Sequence, residues 1–141
     1  LLDLCRNALP NEACGLLYGT ESSDEIRICR IVPVFNAAEN PLSSFTLDPA
    51  SLVKAVYGAA RGEPLIGVYH SHPRSGPRPS RRDLNGWWPF SCQLIVSLAA
   101  ADHPEIFAYQ IKTEAEHSAS VPRLEDPAGY CRELPFSVIH P

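Results

Sequence analysis

The sequence predicts one α/β domain of the α+β kind, with a mixed β-sheet covered by helices over a single core. Three observations carry this expectation. The 141 residues suit one domain with a real core. Short, apolar, β-prone runs are interleaved with stretches of helical character. No repeat or low-complexity segment interrupts them, so residues 1–141 read as a single unit.

The elements follow in order. Residues 2 to 9 read as a short amphipathic helix stopped by Pro10. Ala13 to Tyr18 is a compact apolar strand, in which Gly15 permits close backbone approach. Residues 21 to 24, Glu-Ser-Ser-Asp, form a turn, and the alternating "EIRICRIVPVF" is the partner strand of a hairpin. Asn36 to Ser44 is a loop and Phe45-Thr46-Leu47 a short strand. Asp48 caps a helix running through Arg61, with Pro49 at its first position and Gly62 ending it.

Leu65 to Tyr69 then opens a buried strand. If it continues through His72, alternation puts His70 and His72 on one face and Ser71 on the other. Pro73 has no N–H and ends the ladder, and residues 74 to 79 are a loop. Ser80 is the N-cap of a helix, with Asp83 at its third position. "CQLIVSL" is a further buried strand, and "EIFAYQI" pairs beside it after a turn at Asp102 to Pro104. Val121 to Leu124 reads as a last strand, and residues 125 to 141 as a poorly defined tail. The aromatic segment Gly86-Trp87-Trp88-Pro89-Phe90 reads as core packing under the neighbouring helix, or else as a contact surface.

Composition narrows the function. A formal charge of −4 and a pI near 5.7 argue against a nucleic-acid binder. No apolar run approaches a membrane span. Leu1-Leu2-Asp3-Leu4-Cys5-Arg6 carries charges and no basic flank, so it is not a signal peptide, and the lack of any Met suggests that the true start is missing or altered. The five cysteines are dispersed and form no C-x-x-C pair, which suits reduced, mostly buried thiols in a cytoplasmic protein. Nothing local supports a cysteine nucleophile.

The chemistry concentrates in "VYHSHPRSGPRPSRRD", residues 68 to 83. Two imidazoles one strand repeat apart can converge on one ion, or serve as ordinary core histidines. Asp83 can cap its helix near the positive end, or become a third ligand if the loop folds back. A cupin-type site wants a Glu a few residues on, and Pro73 to Pro77 supplies none. A metal-dependent amidohydrolase barrel needs roughly 250 residues. Among the carboxylates Glu12 stands apart, at the start of an apolar strand in "PNEACGLLYG"; it reads as a solvated acid or as a catalytic base.

Glu12-Ala-Cys-Gly-Leu-Leu-Tyr-Gly19, together with His70-Ser-His72-Pro73 and, six residues later, Ser80-x-x-Asp83, resembles the JAMM (MPN+) family of zinc metalloproteases. The resemblance spans about residues 2 to 115. It implies a curved mixed sheet flanked by helices, and one zinc ligated by His70, His72 and Asp83 with a water at the fourth position. It also implies Glu12 as the base that moves that water's proton and Ser80 as the oxyanion donor. "FTLDP", residues 45 to 49, is similar to small prokaryotic members, which implies a peptidase acting after the C-terminal glycine of a ubiquitin-like or sulfur-carrier protein. Phe45, Thr46 and Leu47 would then be the strand edge that takes up the substrate tail. The competing expectations are a non-catalytic MPN scaffold and a small-molecule amidase, or a DNA-repair-associated relative, of the same fold.

Overall fold

A computed structural model describes residues 1–57, 63–85, 92–111 and 131–138. Helix α1 spans Leu2–Ala8, followed by strands β1 (Cys14–Glu21) and β2 (Ile26–Val34). Helix α2 (Pro49–Tyr57), strand β3 (Leu65–His72) and the short helix α3 (Arg81–Asn85) come next. Strands β4 (Cys92–Ser97), β5 (Glu105–Ile111) and β6 (Cys131–Leu134) complete the described elements.

The strands form a six-stranded sheet in the order β2-β1-β3-β4-β5-β6. Every neighbouring pair is antiparallel except β3 and β4, which run parallel. A parallel pair needs a crossover connection, and the chain between these two strands carries α3. The sheet is therefore mixed and the class α+β, as the alternation of elements predicts.

Alternation sorts β1 and β3 onto two cores. One face holds Ala13, Leu17 and Tyr69 with Leu94 and Val96, and α1 packs on it through Cys5. The other holds Cys14, Leu16, Tyr18 and Val68, with Leu47 and residues of α2 packed against them. Gly15 is required where β1 is flanked on both sides: a Cβ there would collide with the Val32 carbonyl and the Tyr69 ring. Asp48 caps α2 as expected, its Oδ2 accepting the Ser51 N–H at 2.7 Å.

Two expectations are revised, and others fall outside the described residues. Phe45-Thr46-Leu47 is not a strand: a single antiparallel bridge joins Asn36 to Leu47. The Asn36 side chain is the reason, because its Oδ1 takes the Thr46 N–H at 3.1 Å and so replaces a ladder bond. The closing strand is Cys131–Leu134, in the stretch read as a tail. Residues 121 to 124, the end of the α2 stretch at 58 to 62, and Trp87-Trp88 lie outside the described residues.

Candidate metal centre

β3 is buried along its length from Ile66 to His72, so its side chains are placed by the sheet. His70 lies opposite Cys14 of β1 and beside Ile95 of β4. Its ring is fully buried and stacks on Phe45, with centroids 4.4 Å apart and planes 19° apart. His72, one repeat further, points the same way, and the two Nε2 atoms stand 3.1 Å apart.

The 73–80 loop brings in the third group. Asp83 Oδ1 is 3.5 Å from His70 Nε2, and Asp83 Oδ2 is 3.5 Å from His72 Nε2. Ligand atoms of these three buried residues all fall within 4.8 Å of one another. Capping and site-building coexist. The Ser80 N–H donates to Asp83 Oδ2 at 2.6 Å, and the Asp83 N–H donates to Ser80 Oγ at 3.3 Å. This is a capping box with Asp in the place of Glu.

The donor set fits a divalent metal. A carbonyl can only accept, so the 2.7 Å contact of His72 Nδ1 with the Gly76 carbonyl puts the ring proton on Nδ1. That leaves Nε2 as a lone pair aimed at its partners, the arrangement by which metal-binding histidines are oriented. Two imidazoles and one carboxylate suit a tetrahedral zinc with one open position.

The charges are tuned in opposite directions. Burial opposes ionisation of Asp83, but the facing imidazoles of His70 and His72 and the Ser80 N–H outweigh it and hold the carboxyl well below the usual carboxylate range. Burial keeps His70 neutral. For His72 burial works the same way, yet Asp83 and the Gly76 carbonyl raise its proton affinity above the ordinary value.

Glu12 belongs to the same centre. It is buried, at 7% exposure, and its charge is felt by both His72 and Asp83. Desolvation pushes its carboxyl up to about 7, with His72 working against the shift and Asp83 adding to it. Its backbone is pinned: the N–H donates to the Pro41 carbonyl at 2.7 Å, and the carbonyl accepts from Asn36 Nδ2 at 2.9 Å.

Residues 1–112 match the family described as prokaryotic homologs of the JAB domain. The chain belongs to the JAB family. The chain is 39% identical to the desampylase of Haloferax volcanii over 92 residues, which cover 62% of this chain and 63% of that protein. The chain thus spans less than two thirds of that relative's length. It is 32% identical to the CysO-cysteine peptidase of Mycobacterium bovis over 104 residues, covering 72% of this chain and 69% of that protein. A solution structure of a protein from Desulfitobacterium hafniense has a TM-score of 0.70 at 36% identity, covering 80% of this chain and 78% of that one.

In this JAB chain a groove of about 380 Å³ lies between the 38–46 loop and the start of α3, with Phe45, Thr46, Arg82 and Asp83 among its walls. Leu47 instead packs in the core at 6% exposure. Thr46 has little main chain to offer a ligand, since its N–H goes to Asn36 Oδ1 and its carbonyl accepts the Ala37 N–H at 2.8 Å. Asn36 is the residue that sequence reasoning passed over: its amide bonds the Glu12 carbonyl, the Ser44 carbonyl and the Ala38 and Thr46 N–H groups. A lone Asn in a loop carries no periodic signal that would single it out.

Cys5, Cys14, Cys29 and Cys92 are free. Burial pushes Cys5 and Cys92 up to about 11 and Cys14 up to about 12, so these three thiols are poor nucleophiles at neutral pH. Among the described residues no helix is long and apolar enough to cross a membrane.

Proposed function

We propose that this chain is a zinc-dependent peptidase or isopeptidase that hydrolyses the amide bond after the C-terminal glycine of a ubiquitin-like or sulfur-carrier protein. The observation that carries the reading is the convergence of His70, His72 and Asp83 with the buried Glu12 beside them. The peptidase names of the JAB relatives support the substrate class. We assign the activity to a single JAB domain with its motif-bearing core at about residues 2 to 115. The free thiols suit a cytoplasmic setting.

His70, His72 and Asp83 would hold the zinc. Bound there, the ion would supply Lewis acidity and lower the pKa of water to about 7. The chain's own groups do the rest. Glu12, with a proton affinity near neutrality, takes a proton from the attacking water and returns it to the leaving amine. Ser80 accepts the Asp83 N–H through its oxygen and so keeps its hydroxyl proton for the developing oxyanion. The groove admits an extended tail, and glycine lets the scissile backbone come close without a Cβ clash.

The test is cleavage of a carrier protein ending in Gly-Gly plus one residue, against the same carrier with Val-Val, each with and without chelator. Chelator-sensitive cleavage of the glycine form alone is expected. Equal cleavage of both, or hydrolysis only of an unrelated small amide, would overturn the carrier-tail reading. Zinc binding without any hydrolysis would favour a scaffold.

A further inference from the structure

The start of β1 departs from a plain ladder at one place. Cys14 lies opposite His70, so Ala13 falls opposite Ser71. The Ser71 N–H donates to the Ala13 carbonyl at 2.9 Å. The return bond goes to the side chain instead of the Ser71 carbonyl: the Ala13 N–H donates to Ser71 Oγ at 2.8 Å. Ser71 is fully buried and Ala13 is 7% exposed, so water does not stand in for that acceptor.

The peptide gripped in this way is the one that joins Glu12 to Ala13. Its carbonyl is held by Asn36, and the N–H one residue earlier by Pro41. Among the described residues nothing hydrogen-bonds the Glu12 carboxylate. Its position is therefore set through its backbone. Ser71 is the link in that backbone mounting which comes from the ligand strand, between His70 and His72 and on the opposite face from both. An ordinary ladder bond would carry β1 straight on past Cys14. The Oγ acceptor lets the chain leave the sheet at Glu12 while the Ala13 N–H stays paired.

We propose that Ser71 is a positioning residue: by holding the Glu12–Ala13 peptide it sets the Glu12 carboxylate relative to His70 and His72, without touching metal or substrate. The role rests on the reading of Glu12 as the base.

The experiment compares zinc-loaded wild type, Ser71→Ala, Ser71→Thr and Ser71→Cys on the Gly-Gly carrier tail, alongside zinc affinity by chelator competition and exchange of the Ala13 amide. Ser71→Ala should keep its zinc affinity and its KM while kcat falls by about 10–100-fold, the scale of a misplaced catalytic group. Its Ala13 amide should lose protection, and Ser71→Thr should restore both amide and rate. Ser71→Cys, with a weaker acceptor of similar size, should fall between them, and it carries the test if the Ala variant does not fold. Placed in the Glu12→Gln background, Ser71→Ala should remove less than about a further twofold, because both changes act through one group. An unchanged kcat, a zinc affinity that falls in step with kcat, or full additivity with Glu12→Gln would overturn the role. Wild type that binds zinc yet cleaves no glycine tail overturns the proposed function, and the positioning role falls with it; an active wild type with an undiminished Ser71→Ala overturns the positioning role alone.

Discussion

The start of β1 and the start of α3 each deliver a buried carboxylate to the same centre, and the two behave oppositely. Asp83 receives hydrogen bonds from the Ser80 N–H and faces two imidazoles, and it stays ionised. Glu12 is buried to a similar degree, but among the described residues only its backbone is hydrogen-bonded, and desolvation raises its proton affinity. The contrast shows that burial alone does not decide a carboxylate's charge. What decides is whether donors reach the oxygens. One acid is built to hold a cation and the other to exchange a proton.

The strongest break in that contrast is Asp83→Asn. It should lose stoichiometric zinc and all hydrolysis above background, as read by metal analysis and turnover. Retention of full zinc would move the third ligand elsewhere.

Glu12→Gln should do the reverse: keep zinc, yet lose about 10²–10⁴-fold in turnover, since the amide cannot take the proton. Near-normal turnover would transfer the base role to another group. Ser80→Ala tests the residue that serves both functions of the α3 start. A drop of about 10²–10³ in kcat marks an oxyanion donor, whereas a loss of about 1 kcal/mol in stability alone marks a cap only.

The smallest effect concerns pH. In chelator, the folded Glu12 carboxyl binds its proton more tightly than the unfolded chain does, about 7 against 4.5. Between those values the folded state holds more protons, so this group makes stability fall as pH rises. Glu12→Gln should therefore unfold later than wild type at pH 8, by about 1–3 kcal/mol, and the gap should close below pH 4.5. Asp83 has the opposite sign. Its contribution is present above the unfolded value of 3.8 and is lost as pH falls below it. Denaturation curves of the metal-free variants across pH 3 to 8 separate the two.

Much of this was legible in the chain itself, because the informative signals are local. The period of two in β3 puts His70 and His72 on one face, Pro73 stops the ladder, and Ser80 starts a helix, all through backbone chemistry that needs no distant partner. The motif of Glu12, the histidine pair, Ser80 and Asp83 then pointed to the JAB family at once. Other features depended on contacts between segments far apart in sequence. The parallel pairing of β3 with β4 is one, since alternation along a strand does not name its neighbour. The strand at 131–134 is another, because four residues pairing with β5 carry too little periodicity of their own. The Phe45–Leu47 stretch has β-prone residues, yet the Asn36 side chain took its Thr46 N–H and only one bridge formed. The state of Glu12 was the least legible. Its residue type allowed a solvated acid as readily as a base, and only the packing of the 36–44 loop and β3 around it removed the water that would have kept its proton affinity ordinary.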